Sequence, residues 1–147
     1  MQAHGTFRGR LSGFGEVRAL AEAFAAAAGA DRGAALRLVL ILEELFTNTV
    51  THGYPPGAEG PIWVAFASRA DTIEVTYEDE GPAFDPLADA PGLPGDFRED
   101  AGDLSGGLGL ALVRGLSAAA RYARVGDRNR ITLAVPTHTS PSPGAGP

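Results

Sequence analysis

Leu42-Glu-Glu-Leu-Phe-Thr-Asn-Thr-Val-Thr-His-Gly-Tyr54 is the stretch on which the reading of this chain turns. Residues four apart on a helix are neighbours, so Glu44, Asn48 and His52 make one polar stripe. The stripe borders an apolar face of Leu38, Leu42, Leu45 and Phe46. A carboxylate, an amide oxygen and an imidazole lined up beside a core can serve a ligand, although a solvated helix face accounts for the same row. His52, near the helix end, reads more simply as a dipole-compensating or hydrogen-bonded residue than as a metal ligand.

Working outward, Asp31 is placed to cap a helix running from about Arg32 to His52, which Gly53 and Pro55-Pro56 stop. Before it, Glu16 to Ala28 carries Val17, Leu20, Ala21 and Phe24 at helical spacing and ends at Gly29. His4 to Leu11 reads as an opening strand. After the prolines, Ile62, Val64 and Phe66 alternate within Pro61–Ser68, and Ile73, Val75 and Tyr77 alternate within Thr72–Tyr77. Those are two strands joined by the hairpin-length link Arg69-Ala70-Asp71. Residues 86–105 are rich in Pro, Gly, Asp and Ala, which in a compact domain marks a lid or a disordered stretch. Helical periodicity returns over Leu108–Ala120. Arg121–Val125 and Arg130–Val135 then form a last hairpin around Gly126-Asp127-Arg128-Asn129. This order predicts an α+β two-layer sandwich, with helices on one face of a mixed, mostly antiparallel sheet. One domain is expected over 1–136, followed by a disordered tail, 137–147.

Composition narrows the chemistry. All twelve basic residues are arginine, so mechanisms built on a lysine are excluded: the P-loop, the eukaryotic-type kinase strand lysine and the pyridoxal Schiff base. Cysteine is absent, which excludes disulfides and thiolate metal sites. A histidine-based zinc site lacks ligands, since His4 and His138 lie toward the ends. The net charge is -6 and the arginines are scattered, so no nucleic-acid surface is expected. The apolar runs are short, and Met1-Gln-Ala-His-Gly-Thr has no secretory pattern. No membrane association is expected, and a cytoplasmic location is.

Two glycine-bearing segments follow the central helix. In Asp79-Glu-Gly-Pro-Ala-Phe-Asp85, a strand end can aim the Asp79 carboxylate into a cavity, where it would accept from an exocyclic amine. Gly81 permits close approach of a ligand there. Alone, the segment reads far more simply as an ordinary acidic turn with Pro82. Gly106-Gly-Leu-Gly109 precedes a helix whose first N–H groups could take phosphate oxygens, and it reads equally as a linker before a helix start. Asn48 offers an oxygen suited to magnesium, and Glu44 can orient or deprotonate a nucleophile.

Taken in order, Glu44-x-x-x-Asn48-x-x-x-His52-Gly53-Tyr54, Asp79-x-Gly81-x-Ala83-Phe84-Asp85 and Gly106-Gly107-Leu108-Gly109-Leu110 resemble the N, G1 and G2 boxes of the GHKL (Bergerat-fold) ATPase superfamily. Within it the chain is similar to the bacterial anti-sigma serine/threonine kinases. The resemblance spans about Arg8 to Val135. It implies ATP and Mg²⁺ as ligands: Asn48 on the metal, Glu44 as general base, and Asp79 on the adenine amino group. It further implies that Gly81, Ala83 and Phe84 shape the base pocket and that His52 belongs to the nucleotide site. Gly106, Gly107, Leu108 and Gly109 would lie at the phosphates, 86–105 would form a lid, and Arg18 would contact a partner.

The chain departs from the pattern in three places. Ala83 replaces a glycine, Ser117-Ala-Ala-Ala-Arg121 replaces an acidic pair, and Arg98 is the single positive charge of the lid. The function implied is phosphorylation of a small anti-sigma-factor antagonist, with a sigma factor as alternate partner and a homodimer as the assembly. The rival expectation is a non-catalytic, nucleotide-gated module that sequesters a regulatory partner. A complete histidine kinase would need a helical hairpin bearing its phosphoacceptor histidine, and gyrase- or chaperone-type ATPases would need a transducer domain.

Overall fold

The computed structural model describes residues 1–89 and 113–139. Strand β1 is Gln2–Arg8, helix α1 Phe14–Ala27, helix α2 Arg32–Asn48, strand β2 Pro61–Arg69, strand β3 Thr72–Asp79, strand β4 Ala119–Val125 and strand β5 Arg128–Pro136. The strands form one sheet in the order β1-β2-β3-β5-β4. A mixed, mostly antiparallel sheet was expected; among the described residues all four pairings are antiparallel.

Alternation explains the layering. Ile62, Val64 and Phe66 of β2, Ile73, Val75 and Tyr77 of β3 and Ile131, Leu133 and Val135 of β5 all point to one buried face. Val17, Ala21 and Phe24 of α1 and Leu38, Ile41, Leu42, Leu45 and Phe46 of α2 cover that face. Phe24 stacks on Phe66 with ring centroids 5.3 Å apart, and Phe14 tilts against Phe46 at 5.5 Å. Phe46 is fully buried, so truncating it to Ala would cost about 3–5 kcal/mol.

Local signals set the helix ends. α1 closes in a Schellman turn: Gly29 sits at φ +77, Ala30 N–H donates to Ala25 at 2.9 Å and Gly29 N–H to Ala26 at 3.1 Å. A side chain at 29 would be strained. Asp31 caps α2 by accepting from Ala34 N–H at 2.7 Å. The same carboxylate accepts from Thr139 N–H at 2.9 Å, while Asp31 N–H donates to the Thr137 carbonyl at 2.8 Å. Thr137 and Thr139, where a disordered tail was expected to begin, therefore bond to the start of α2; residues 140–147 lie outside the described residues.

Two boundaries differ from the sequence reading. The α-form of α2 stops at Asn48 and continues as a π turn, Thr49–Gly53, in which Tyr54 N–H reaches the Thr49 carbonyl at 2.8 Å. The Leu45 carbonyl, which Thr49 N–H also uses, lies 3.1 Å from both the Thr49 and the Tyr77 hydroxyls. Side chains entering the helical ladder in this way loosen it. The helix expected to reach Ala120 gives way earlier. Residues 113–116 are helical, but Ala118 N–H already bonds the Ala134 carbonyl at 2.8 Å and Ala119 pairs with Ala134. Pairing with β5 overrides the helical propensity of the alanines. Among the described residues, no helix is long and apolar enough to cross a membrane.

Candidate nucleotide site

The end of β3, the π turn and the loop 80–84 enclose a pocket of about 270 Å³. Leu45, Pro82, Phe84 and Ile131 give it apolar walls, while Asn48, Thr49, His52, Tyr77, Asp79 and Asn129 supply polar groups. Mostly apolar walls with a few convergent polar atoms are the usual make-up of a small-molecule site.

Asp79 is buried and its carboxylate is held from three sides. Oδ1 accepts from Gly81 N–H at 3.0 Å and from Asn129 Nδ2 at 2.9 Å; Oδ2 accepts from the Thr49 hydroxyl at 2.7 Å. Thr49 has a single hydroxyl hydrogen, so giving it to Asp79 leaves the Thr49 oxygen to accept from Tyr77 at 2.6 Å. Burial pushes the Tyr77 phenol well above its ordinary value, against the opposing effect of its bond to Thr49. It therefore stays protonated and can donate. The chain Tyr77 to Thr49 to Asp79 keeps the carboxylate oriented with lone pairs left over for a ligand.

The loop after β3 is fixed at several points. Gly81 is buried, and a Cβ there would lie 3.2 Å from the Gly53 carbonyl oxygen, tighter than side-chain carbons ordinarily approach, so the closeness of loop and π turn favours glycine. Tyr54 N–H closes the π turn, and the Tyr54 hydroxyl accepts from Glu80 N–H at 2.7 Å and donates to the Pro61 carbonyl. Burial is the main reason its phenol is raised above the ordinary value. Asn129 Nδ2 also donates to the Pro82 carbonyl at 2.9 Å, and its Oδ1 accepts from Phe84 N–H at 3.1 Å.

The structure thus gathers Asn48, His52, Asp79, Ala83 and Phe84 around one pocket. Gly81 lies behind its wall. Glu44 sits one turn before Asn48, outside the lining, half-buried, and its carboxyl is raised above the ordinary value first by desolvation and then by Glu43. A raised carboxyl is a better proton acceptor than an exposed one. Arg18 is exposed on α1 and bonds Glu22 at 3.2 Å, a solvated pair. Gly106, Gly107, Leu108 and Gly109, together with most of the expected lid, lie outside the described residues. The sequence reading missed Thr49 and Asn129. Thr49 looked like filler between Asn48 and His52. Asn129 was assigned to the hairpin turn, but the turn is only Gly126-Asp127, and Asn129 is already in β5 opposite Asp79.

The sequence profile described as the histidine kinase-like ATPase domain matches residues 7–135. The chain belongs to this family. No protein of curated function matches it by sequence. Among solved structures, this histidine kinase-like ATPase domain is similar to the RsbU and RsbW domains of Rv1364c from Mycobacterium tuberculosis, with a TM-score of 0.65 and 23% identity over 92% of this chain and 32% of that one. It is also similar to the blue-light activated histidine kinase EL346 of Erythrobacter litoralis, with a TM-score of 0.52 and 24% identity over 74% of this chain and 32% of that one. At such identities the likeness is one of fold, and the chain spans about a third of each of those proteins.

The donor set fits the nucleotide that the family name implies. The pocket's size and its apolar walls suit a flat base, with Asp79 as the acceptor for an amine. Among the described residues, no group of three or more His, Asp and Glu side chains could hold a metal by itself.

Proposed function

We propose that this chain is an ATP-dependent serine/threonine protein kinase acting as an anti-sigma regulatory factor. It phosphorylates a small anti-sigma-factor antagonist and, in the alternate partnership, holds a sigma factor. The observation that carries the reading is the pairing of two carboxylates in different settings along one site. Asp79 is buried and fully oriented at the base end. Glu44 is half-buried with a raised carboxyl one turn from Asn48. The resemblance of the three boxes to anti-sigma kinases, and the fold shared with a chain containing an RsbW domain, support it.

Within this proposal each residue has a task. Asp79 accepts from the adenine amino group, and Ala83 and Phe84 flank the base while Gly81 keeps the loop close. Asn48 presents its amide oxygen to Mg²⁺, and His52 stands at the rim. Bound magnesium would neutralise the phosphate charge. Glu44 takes the proton of the acceptor serine, for which its raised carboxyl suits it. Gly106, Gly107, Leu108 and Gly109 are assigned to the phosphates, and Arg18 to the protein partner.

The test is calorimetric titration with ATP and ADP, with and without Mg²⁺, on the wild type and Asn48→Ala, followed by incubation with labelled ATP and candidate antagonists. Magnesium-dependent binding lost in Asn48→Ala, and acid-stable phosphoserine on an antagonist, are expected. An acid-labile phosphohistidine product would overturn the serine assignment. Partner regulation that persists in Glu44→Ala would leave a nucleotide-gated module that sequesters its partner. A homodimer is expected, and a monomer mass by light scattering would count against it.

A further inference from the structure

Asn129 lies fifty positions from Asp79 in the chain, yet the two side chains face each other across the β3–β5 pairing. Its amide meets an unusual number of partners. Nδ2 has two hydrogens and three acceptors near it: Asp79 Oδ1 at 2.9 Å, the Pro82 carbonyl at 2.9 Å and the Gly81 carbonyl at 3.3 Å. The last is better served by Arg124 Nη1, at 2.7 Å. Oδ1 accepts from Tyr122 at 2.6 Å, Phe84 N–H at 3.1 Å and Arg124 at 3.2 Å. The orientation of the amide follows from these partners. Flipped, its oxygen would face a carboxylate and two carbonyls, and its nitrogen would face two N–H groups.

We infer that Asn129 is the positioning residue for base recognition: its amide holds the Asp79 carboxylate and the loop 80–84 in one fixed relation, so that adenine affinity depends on a donor at this position. A carboxylate has nearly the same shape as the amide but no N–H to give. An aspartate at 129 would set two carboxylates and a carbonyl against one another, and two carboxyls this close share a proton. With that proton present, a donor is restored; without it, the loop is repelled. The inference therefore predicts affinity that depends on pH in N129D and loss at every pH in N129A. The other titratable and charged groups around the pair are Tyr77 acting through Thr49, Tyr54 and Glu80 at the loop's start, Tyr122 and Arg124 from β4, and His52 across the pocket.

The inference rests on the nucleotide-binding part of the proposed function and not on phosphoryl transfer. The experiment is calorimetric ATP binding by wild type, N129D and N129A at about pH 5.5 and about pH 8.5, spanning the range in which such a shared proton is lost. Each variant is expressed as a ratio to wild type at the same pH, which cancels every pH effect common to the three proteins, that of the nucleotide included. N129A is expected to lose about tenfold or more at both values, the effect of removing one charge-assisted hydrogen bond. N129D is expected to match that loss at the higher pH and to regain most of the affinity at the lower. A merely structural defect would weaken N129D equally at both. Equal weakening, or affinities within about twofold of wild type throughout, would overturn the inference. If circular dichroism finds N129D unfolded at the higher pH, N129A decides: unchanged ATP affinity in a folded N129A overturns it. A wild type that binds no ATP would overturn both this inference and the proposed function, whereas a wild type that binds ATP beside variants that bind equally well would overturn this inference alone.

Discussion

The two ends of the pocket are built to opposite rules. At the Asp79 end, Tyr77, Thr49, Asp79 and Asn129 are buried and linked in that order by hydrogen bonds between 2.6 and 2.9 Å. At the other end, Asn48 is half-buried and His52 is exposed, and half-buried Glu44 lies one turn beyond the lining, all on the last turns of α2 and the π turn. A closely linked network in a low-dielectric interior holds one geometry. A half-exposed row leaves room for a ligand to come and go. The lesson is that this small fold buries one end of its pocket in the interior and opens the other at its margin.

That contrast can be broken first at the margin. Glu44→Ala is expected to reduce phosphoryl transfer by about 10²–10⁴-fold, the usual contribution of a general base, while ATP binding by calorimetry stays near wild type. Glu44→Gln adds a stability readout. The carboxyl's folded value lies above its ordinary value of 4.5, so at neutral pH its ionised form is held at a cost that the unfolded chain does not bear. Glu44→Gln should accordingly raise the melting temperature at pH 7. The gain should shrink as pH falls through the raised value and vanish below the ordinary one. The acid limb of the transfer rate should lie above the ordinary carboxylate range.

The next largest effect belongs to the base end. Asp79→Asn should weaken ATP binding by about 10–100-fold, with the rate at saturating ATP less affected, because a charged acceptor is lost. Thr49→Val should cost about 1–3 kcal/mol of stability in chemical denaturation, since it leaves Asp79 Oδ2 without its donor in a buried setting. The smallest effect tests a region apart from both. Ala70 turns β2 into β3 at φ +48, a conformation that costs an L-residue about 1–2 kcal/mol. Ala70→Gly relieves it but loosens the unfolded chain, so a net gain below about 1 kcal/mol is expected, with ATP affinity unchanged.

The layer order was legible because strand alternation and helical spacing are local. Ile62-x-Val64-x-Phe66 and Ile73-x-Val75-x-Tyr77 announced buried faces, Asp31 announced a cap and Gly29 a stop. Asp79 was legible as a candidate because a carboxylate at a strand end followed by glycine is a local pattern. What escaped was made at a distance. Thr49 acquires its role from Tyr77 and Asp79, and Asn129 acquires its role from a register that places β5, not β4, beside β3. The π turn escaped too, because one of the two hydroxyls that crowd the Leu45 carbonyl beside it comes from β3. Ala118 to Ala120 misled for the opposite reason: their strong intrinsic preference was helical, and the sheet prevailed.

On the face of the sheet away from the helices, Glu78 bonds Arg130 at 2.9 Å and Arg128 at 3.4 Å, and the Arg128 guanidinium lies 3.4 Å over the ring of Trp63. Trp63 is the chain's one tryptophan, and Glu78 is the immediate neighbour of Asp79. The molecule thus carries a native optical gauge, an indole under a cation that is joined to the strand end presenting the Asp79 carboxylate. Every change in its emission, on titration with nucleotide or with a protein, reports from that single place without a label.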